Sequence, residues 1–150
     1  MRISDSRRIR DPEFTEKITR AMQLLQRRAP GAYSTLNANV GRIRAYQHSG
    51  MDVRARPPTI TIARTTFDAS LTWLASVLAH ESMHSVQYKA RRPHTGVEAE
   101  QECNRHQLSV LRQTGAPQSE INHLLNQTGT HFDVDGDGDY DWDDYRARNW

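Results

Sequence analysis

Residues 69–88 read ASLTWLASVLAHESMHSVQY, and this stretch decides the fold. Its only formally charged residue at neutral pH is Glu81, while Trp73, Leu74, Val77, Leu78, Met83 and Val86 spread apolar surface around most of a helix. Glu81 is therefore expected to be buried. A buried carboxylate without a partner costs several kcal/mol or takes up a proton, so it calls for a partner. Ser70 reads as the N-cap, and Arg91, Arg92 and Pro93 close the helix with cations and a breaker. So many polar groups exclude a membrane span. Within the helix, His80 and His84 stand four residues apart and share one face, ready to grip a metal ion, with Glu81 beside the first. A core helix whose two histidines are merely satisfied is the competing reading.

The run His80-Glu81-Ser82-Met83-His84 is the His-Glu-x-x-His signature, and in these residues the chain resembles the zincin metallopeptidases. A metzincin would continue with Gly at position 87 and His at position 90. Gln87 and Ala90 stand there instead and exclude that subclass. A hydrolytic zinc site takes three protein ligands and keeps one position open, so a third donor must come from elsewhere. The segment VEAEQECNRHQLSVLRQTGAP, from Val97, reads as a second helix ending at Gly115 and Pro117. It offers Glu98, Glu100 and Glu102. Helical spacing puts Glu100 on one stripe with Cys103, Asn104, Gln107, Leu108 and Leu111, the stripe expected to pack inward. Glu100 is the expected ligand, with Glu98 and Glu102 as alternatives and an ordinary solvated acid as the bland reading.

Glu100-Gln101-Glu102-Cys103-Asn104-Arg105 is similar to the Glu-x-Glu-Ala-Asp-Arg run of one gluzincin family. The resemblance implies that His80, His84 and Glu100 hold zinc and that Asn104, in place of the usual Asp, orients a ligating histidine. It also implies that Glu81 is the general base toward an attacking water, later passing the proton to the leaving amine. A His or Tyr would stabilise the oxyanion, and Tyr88, His94, His106 and His123 are the candidates.

Upstream, Thr59-Ile60-Thr61-Ile62 follows Pro57-Pro58 and alternates like a half-buried strand. The prolines suit a sheet edge, which in zincins pairs with extended substrate, and a core strand is the alternative. Arg42 to Gln47 reads as its neighbour. Asp11-Pro12 opens an amino-terminal helix with Phe14, Ile18, Met22 and Leu25 on one stripe, closed by Pro30-Gly31. Residues 1–64 carry 13 Lys+Arg against 5 Asp+Glu, but no stacking pattern or recognition motif accompanies that charge. Solvated surface is the reading; a nucleic-acid partner is not expected.

The carboxyl-terminal stretch from Asp133 to Asp144 fits a twelve-residue calcium loop, with Asp133, Asp135, Asp137, Asp139, Asp141 and Asp144 as donors and Gly138 at the sharp turn. It resembles the EF-hand loop and, more closely, the dockerin version, which also tends to end in Asp. Seven carboxylates within twelve residues repel one another, and a bound cation relieves this. The aromatic residues Tyr140, Trp142, Tyr145 and Trp150 argue for packing rather than a disordered acidic tail. Calcium is expected as a staple on the carboxyl terminus, a regulatory role being the alternative.

The expected protein is thus α+β: a small zincin-like domain over residues 1–129, with an amino-terminal helix, a short two- to three-stranded sheet with an edge strand, an active-site helix and a glutamate helix. Residues 130–150 form a calcium-binding segment packed on it. The expected function is a zinc metallopeptidase acting on protein or peptide substrates, with calcium stabilising or regulating it. From another class, the alternative is a non-catalytic metal-stapled binding or effector module with a vestigial site and a basic face for protein or nucleic acid. An activating or inhibitory protein partner is left open. A lone Cys103 rules out an internal disulfide framework. Without a signal peptide or transmembrane run, the cytoplasm is the default location, with export lacking a cleaved signal as the alternative.

Overall fold

The computed structural model describes residues 2–4 and 11–127. The expected calcium loop and its six aspartate donors lie outside the described residues, as does the boundary drawn at residue 129. The elements run β1 (Arg2–Ser4), α1 (Asp11–Arg28), α2 (Pro30–Asn39), β2 (Arg42–Ala45), β3 (Gly50–Asp52), β4 (Thr59–Ile62), α3 (Arg64–Asp68), α4 (Leu71–Lys89), α5 (Val97–Gln113) and α6 (Gln118–Leu125). This is the α+β class that the sequence predicts. The sheet has four strands rather than the expected two or three, because Arg2–Ser4 also pairs with β2; the order is β1-β2-β4-β3, with β1, β2 and β4 parallel and β3 antiparallel to β4.

The strand order corrects one expectation. Thr59–Ile62 pairs on both sides, with Arg42–Ala45 and with Gly50–Asp52, so it is interior and the edge beside it belongs to β3. The prolines before it are accommodated because the ladder uses only the carbonyl of Pro58, which accepts from the N–H groups of Gly41 and Arg42 at 2.9 and 3.2 Å. Gly41 is needed there, since a Cβ on it would lie 2.3 Å from Pro57 Cβ.

A second correction concerns Pro30. The amino-terminal helix ends at Arg28, but Pro30 opens α2 rather than a loop, because its fixed φ suits the first turn of a helix. The buried stripe of α1 is Phe14, Ile18, Ala21 and Leu25, with Met22 half-buried beside it. The 4-3-4 spacing keeps that stripe on one seam, facing α2 and α4.

Helix α4 runs through the centre. Helices α1, α2 and α5 pack around it, and β3 and β4 also touch it. Leu74 and Leu78 are fully buried, and each contributes about 1.5–3 kcal/mol through apolar burial. Its start is capped as predicted: Ser70 Oγ accepts from Trp73 N at 3.0 Å. The carboxylate of Glu120, on α6, takes the hydroxyls of Ser70 and Thr72. At its far end Arg91 turns left-handed with φ of 56°, and Arg92 N reaches Gln87 O at 2.9 Å. Helix α5 stops in the same manner at Gly115, whose φ of 72° favours glycine. Among the described residues no helix is long and apolar enough to cross a membrane.

Candidate metal centre

His80, Glu81 and His84 are all buried within α4, and Glu100 is buried within α5. The two helices run antiparallel: Gln107 meets Ser76 and His80, while Ala99 meets Gln87. Between these contacts the carboxylate of Glu100 reaches both imidazoles. Its Oε2 lies 3.2 Å from His80 Nε2, and its Oε1 lies 3.3 Å from His84 Nε2. Ligands bound to zinc at about 2.0–2.1 Å stand about 3.3 Å apart across a tetrahedral edge, so these separations suit a shared ion.

The far sides of both rings decide which nitrogen carries hydrogen. Gln107 donates through Nε2 to Ser76 Oγ at 3.0 Å, and Ser76 in turn donates to Trp73 O at 2.7 Å. Gln107 Oε1 is left to accept from His80 Nδ1 at 2.9 Å. The neutral ring then keeps its lone pair on Nε2, toward Glu100. At His84 the same result comes through sulfur. Gln87 Nε2 donates to Ala99 O at 3.1 Å and to Glu102 Oε2 at 3.0 Å, which turns Gln87 Oε1 toward Cys103 Sγ at 3.9 Å. The sulfur faces His84 Nδ1 at 3.6 Å. Two lone pairs and a carboxylate therefore converge, and a cation is what such a set lacks. Burial works against charge on His84, but its contacts with Cys103 and Glu100 outweigh that and hold its pKa well above the usual histidine range. The same preference for positive charge is visible in that shift.

The alternative acids are placed elsewhere. Glu98 is exposed, and Glu102 grips Arg92 at 2.9 and 3.1 Å while accepting from Gln87. His80, His84 and Cys103 also offer ligand atoms that all lie within 4.8 Å of one another. The sulfur sits by Nδ1 of His84, whereas the Glu100 carboxylate stands between the Nε2 atoms of His80 and His84.

Asn104 does not do what the sequence predicts. It is buried, but among the described residues neither its Oδ1 nor its Nδ2 has a hydrogen-bond partner, and His80 is oriented by Gln107 instead. Looking down α5 from Glu100, Cys103 is turned about 60° and Gln107 about 20° to one side, whereas Asn104 is turned about 40° to the other. The antiparallel seam follows the first pair. A sequence signal for Gln107 and Gln87 existed, as amides at positions facing inward on their helices. Gln107→Leu is expected to weaken metal affinity by about 10–100-fold, whereas Asn104→Leu is expected to change it little. Zinc titration against a competing chelator measures both, and a larger loss in the Asn104 variant would reverse the assignment.

Of the four candidates for oxyanion stabilisation, Tyr88 lies one helical turn beyond His84 and packs edge-on against His94 at 5.2 Å. Burial and the nearby charges of His84 and Arg54 lower the His94 pKa, which favours its neutral form. His106 is lowered by burial and by His80. His123 packs edge-on against Trp73 at 5.2 Å, two turns before His80. The structure brings Tyr88 and His94 together at the His84 end of the site and gives His123 a packing role. No family model matches the chain, and neither a curated protein nor a solved structure does.

Proposed function

We propose that the protein is a zinc-dependent metallopeptidase, and one observation carries the reading: Glu100 meets the Nε2 atoms of His80 and His84 at 3.2 and 3.3 Å while both Nδ1 atoms are engaged behind. The donor set of two imidazoles and one carboxylate fits zinc and leaves a position open for chemistry. Zinc in such a site supplies Lewis-acid polarisation of a carbonyl and makes water easier to deprotonate.

The chain's own groups account for the remaining steps. Glu81 follows His80 directly and lies close enough for its charge to act on His84 and Cys103. A carboxylate there takes a proton from the attacking water and returns it to the leaving amine. Tyr88 and His94 supply donors toward the developing oxyanion. The antiparallel edge strand β3 offers main-chain groups to an extended peptide, whatever its side chains. The acidic carboxyl-terminal segment adds calcium as the proposed staple.

Metal removal tests this reading. Dialysis against a zinc chelator, with calcium kept present, is expected to abolish cleavage of an unfolded protein, and one equivalent of zinc to restore it. Undiminished cleavage by metal-free protein would refute the proposal. Zinc bound at one equivalent with no cleavage at any zinc level would favour a metal-stapled binding module.

A further inference from the structure

A cavity of about 400 Å³ opens beside β3, walled by the outer face of the sheet and by the loop between α4 and α5. Its polar lining is mostly basic: Arg44 from β2, His48 before β3, Arg54 after it, and His94 from the loop. Among the described residues Asp52 is the single acid lining it, and its Oδ1 is turned to the N–H groups of Arg54 and Ala55 at 3.1 and 3.0 Å. Among the described residues, neither Arg44 nor Arg54 has a carboxylate within ion-pair distance. The Arg44 guanidinium lies over the Tyr46 ring at 4.7 Å, and its Nε is buried with no hydrogen-bond partner among the described residues. Arg44 is half-buried, and a covered guanidinium N–H without an acceptor is costly; an incoming carboxylate removes that cost with a forked pair of hydrogen bonds.

The cavity adjoins the candidate metal centre. His94 lines it, packs on Tyr88 one turn from His84, and feels the charges of both His84 and Arg54. The edge strand beside it also lines the cavity through Gly50 and Asp52. We propose that this cavity is a specificity subsite that takes an acidic side chain, Asp or Glu, of the peptide held along β3. The inference rests on the peptidase reading for its place in catalysis, but the binding it predicts can be measured without turnover. A peptide is favoured over a nucleic acid because the two arginines gather in one recess rather than along a track for repeated phosphates.

The test uses the full chain carrying Glu81→Gln, loaded with zinc, and two fluorescent peptide pools that differ only in one fixed residue, Glu or Gln. The Glu pool is expected to bind about tenfold more tightly at low salt, and added salt to narrow the gap. Arg54→Gln, at an exposed position, is expected to reduce the preference, and Arg44→Gln with Arg54→Gln to remove it; zinc content and melting temperature report whether each variant is folded. Equal binding of the two pools, or a preference untouched by Arg54→Gln, overturns the subsite, as does a short oligothymidylate displacing the peptide at equal strength. In parallel, wild-type protein digests an unfolded substrate and the cut sites are mapped by mass spectrometry. Cuts without acidic enrichment, together with equal binding, defeat the subsite and leave the peptidase reading standing. An acidic preference in binding with no cleavage at all supports the subsite and defeats the peptidase reading.

Discussion

Glu81→Gln is expected to leave zinc in place and lower kcat by about 10²–10⁴-fold. The substitution keeps shape and removes only the capacity to take a proton, because an amide does not ionise near neutral pH. Glu81 is not one of the three groups that converge on the site, whose contacts run through His80, His84 and Glu100. Metal content therefore separates loss of the base from loss of the site. Buried at 3% exposure, Glu81 also sits where a carboxylate costs several kcal/mol without a cation nearby, so the amide is not expected to destabilise the fold. The measurement is zinc by atomic absorption alongside initial rates on an unfolded protein. A variant that cleaves as fast as the wild type would remove Glu81 from the mechanism.

The second large effect is expected at Glu100. Glu100→Ala removes the carboxylate that bridges the two imidazoles, and zinc affinity is expected to fall by more than the roughly 10–100-fold that altering a supporting partner costs. Cys103→Ser is the comparison that gives the result meaning. The sulfur lies behind His84 at 3.6 Å, so a hydroxyl in its place is expected to keep one equivalent of zinc, with affinity reduced no more than by other supporting changes. Competition with a chromophoric chelator reads both variants. Full zinc binding in Glu100→Ala with loss in Cys103→Ser would assign the ion to His80, His84 and Cys103, and the open position proposed for catalysis would have to be sought again.

Where the sequence and the structure agree, the signals are local. The span of α4, its Ser70 cap and the glycine stop of α5 each depend on residues within a few positions. Buried Glu81 and Glu100 could also be anticipated, because an apolar surround and an inward stripe are properties of single helices. Pro30 shows how a local signal divides: proline ends one helix and opens the next with equal ease, and α2 went unread. For β4 the sequence left edge and core as alternatives, since strand order depends on partners far along the chain.

By itself the sequence determined the α+β class, the pairing of His80 with His84 on one helix face, and a choice among three glutamates. These follow from helical periodicity, which a single segment carries. Only the tertiary structure decided among the glutamates for proximity, replaced Asn104 with Gln107 and gathered the basic cavity beside β3. Those results depend on the register of α5 against α4 and on the order of strands, and the packing of separate elements sets both.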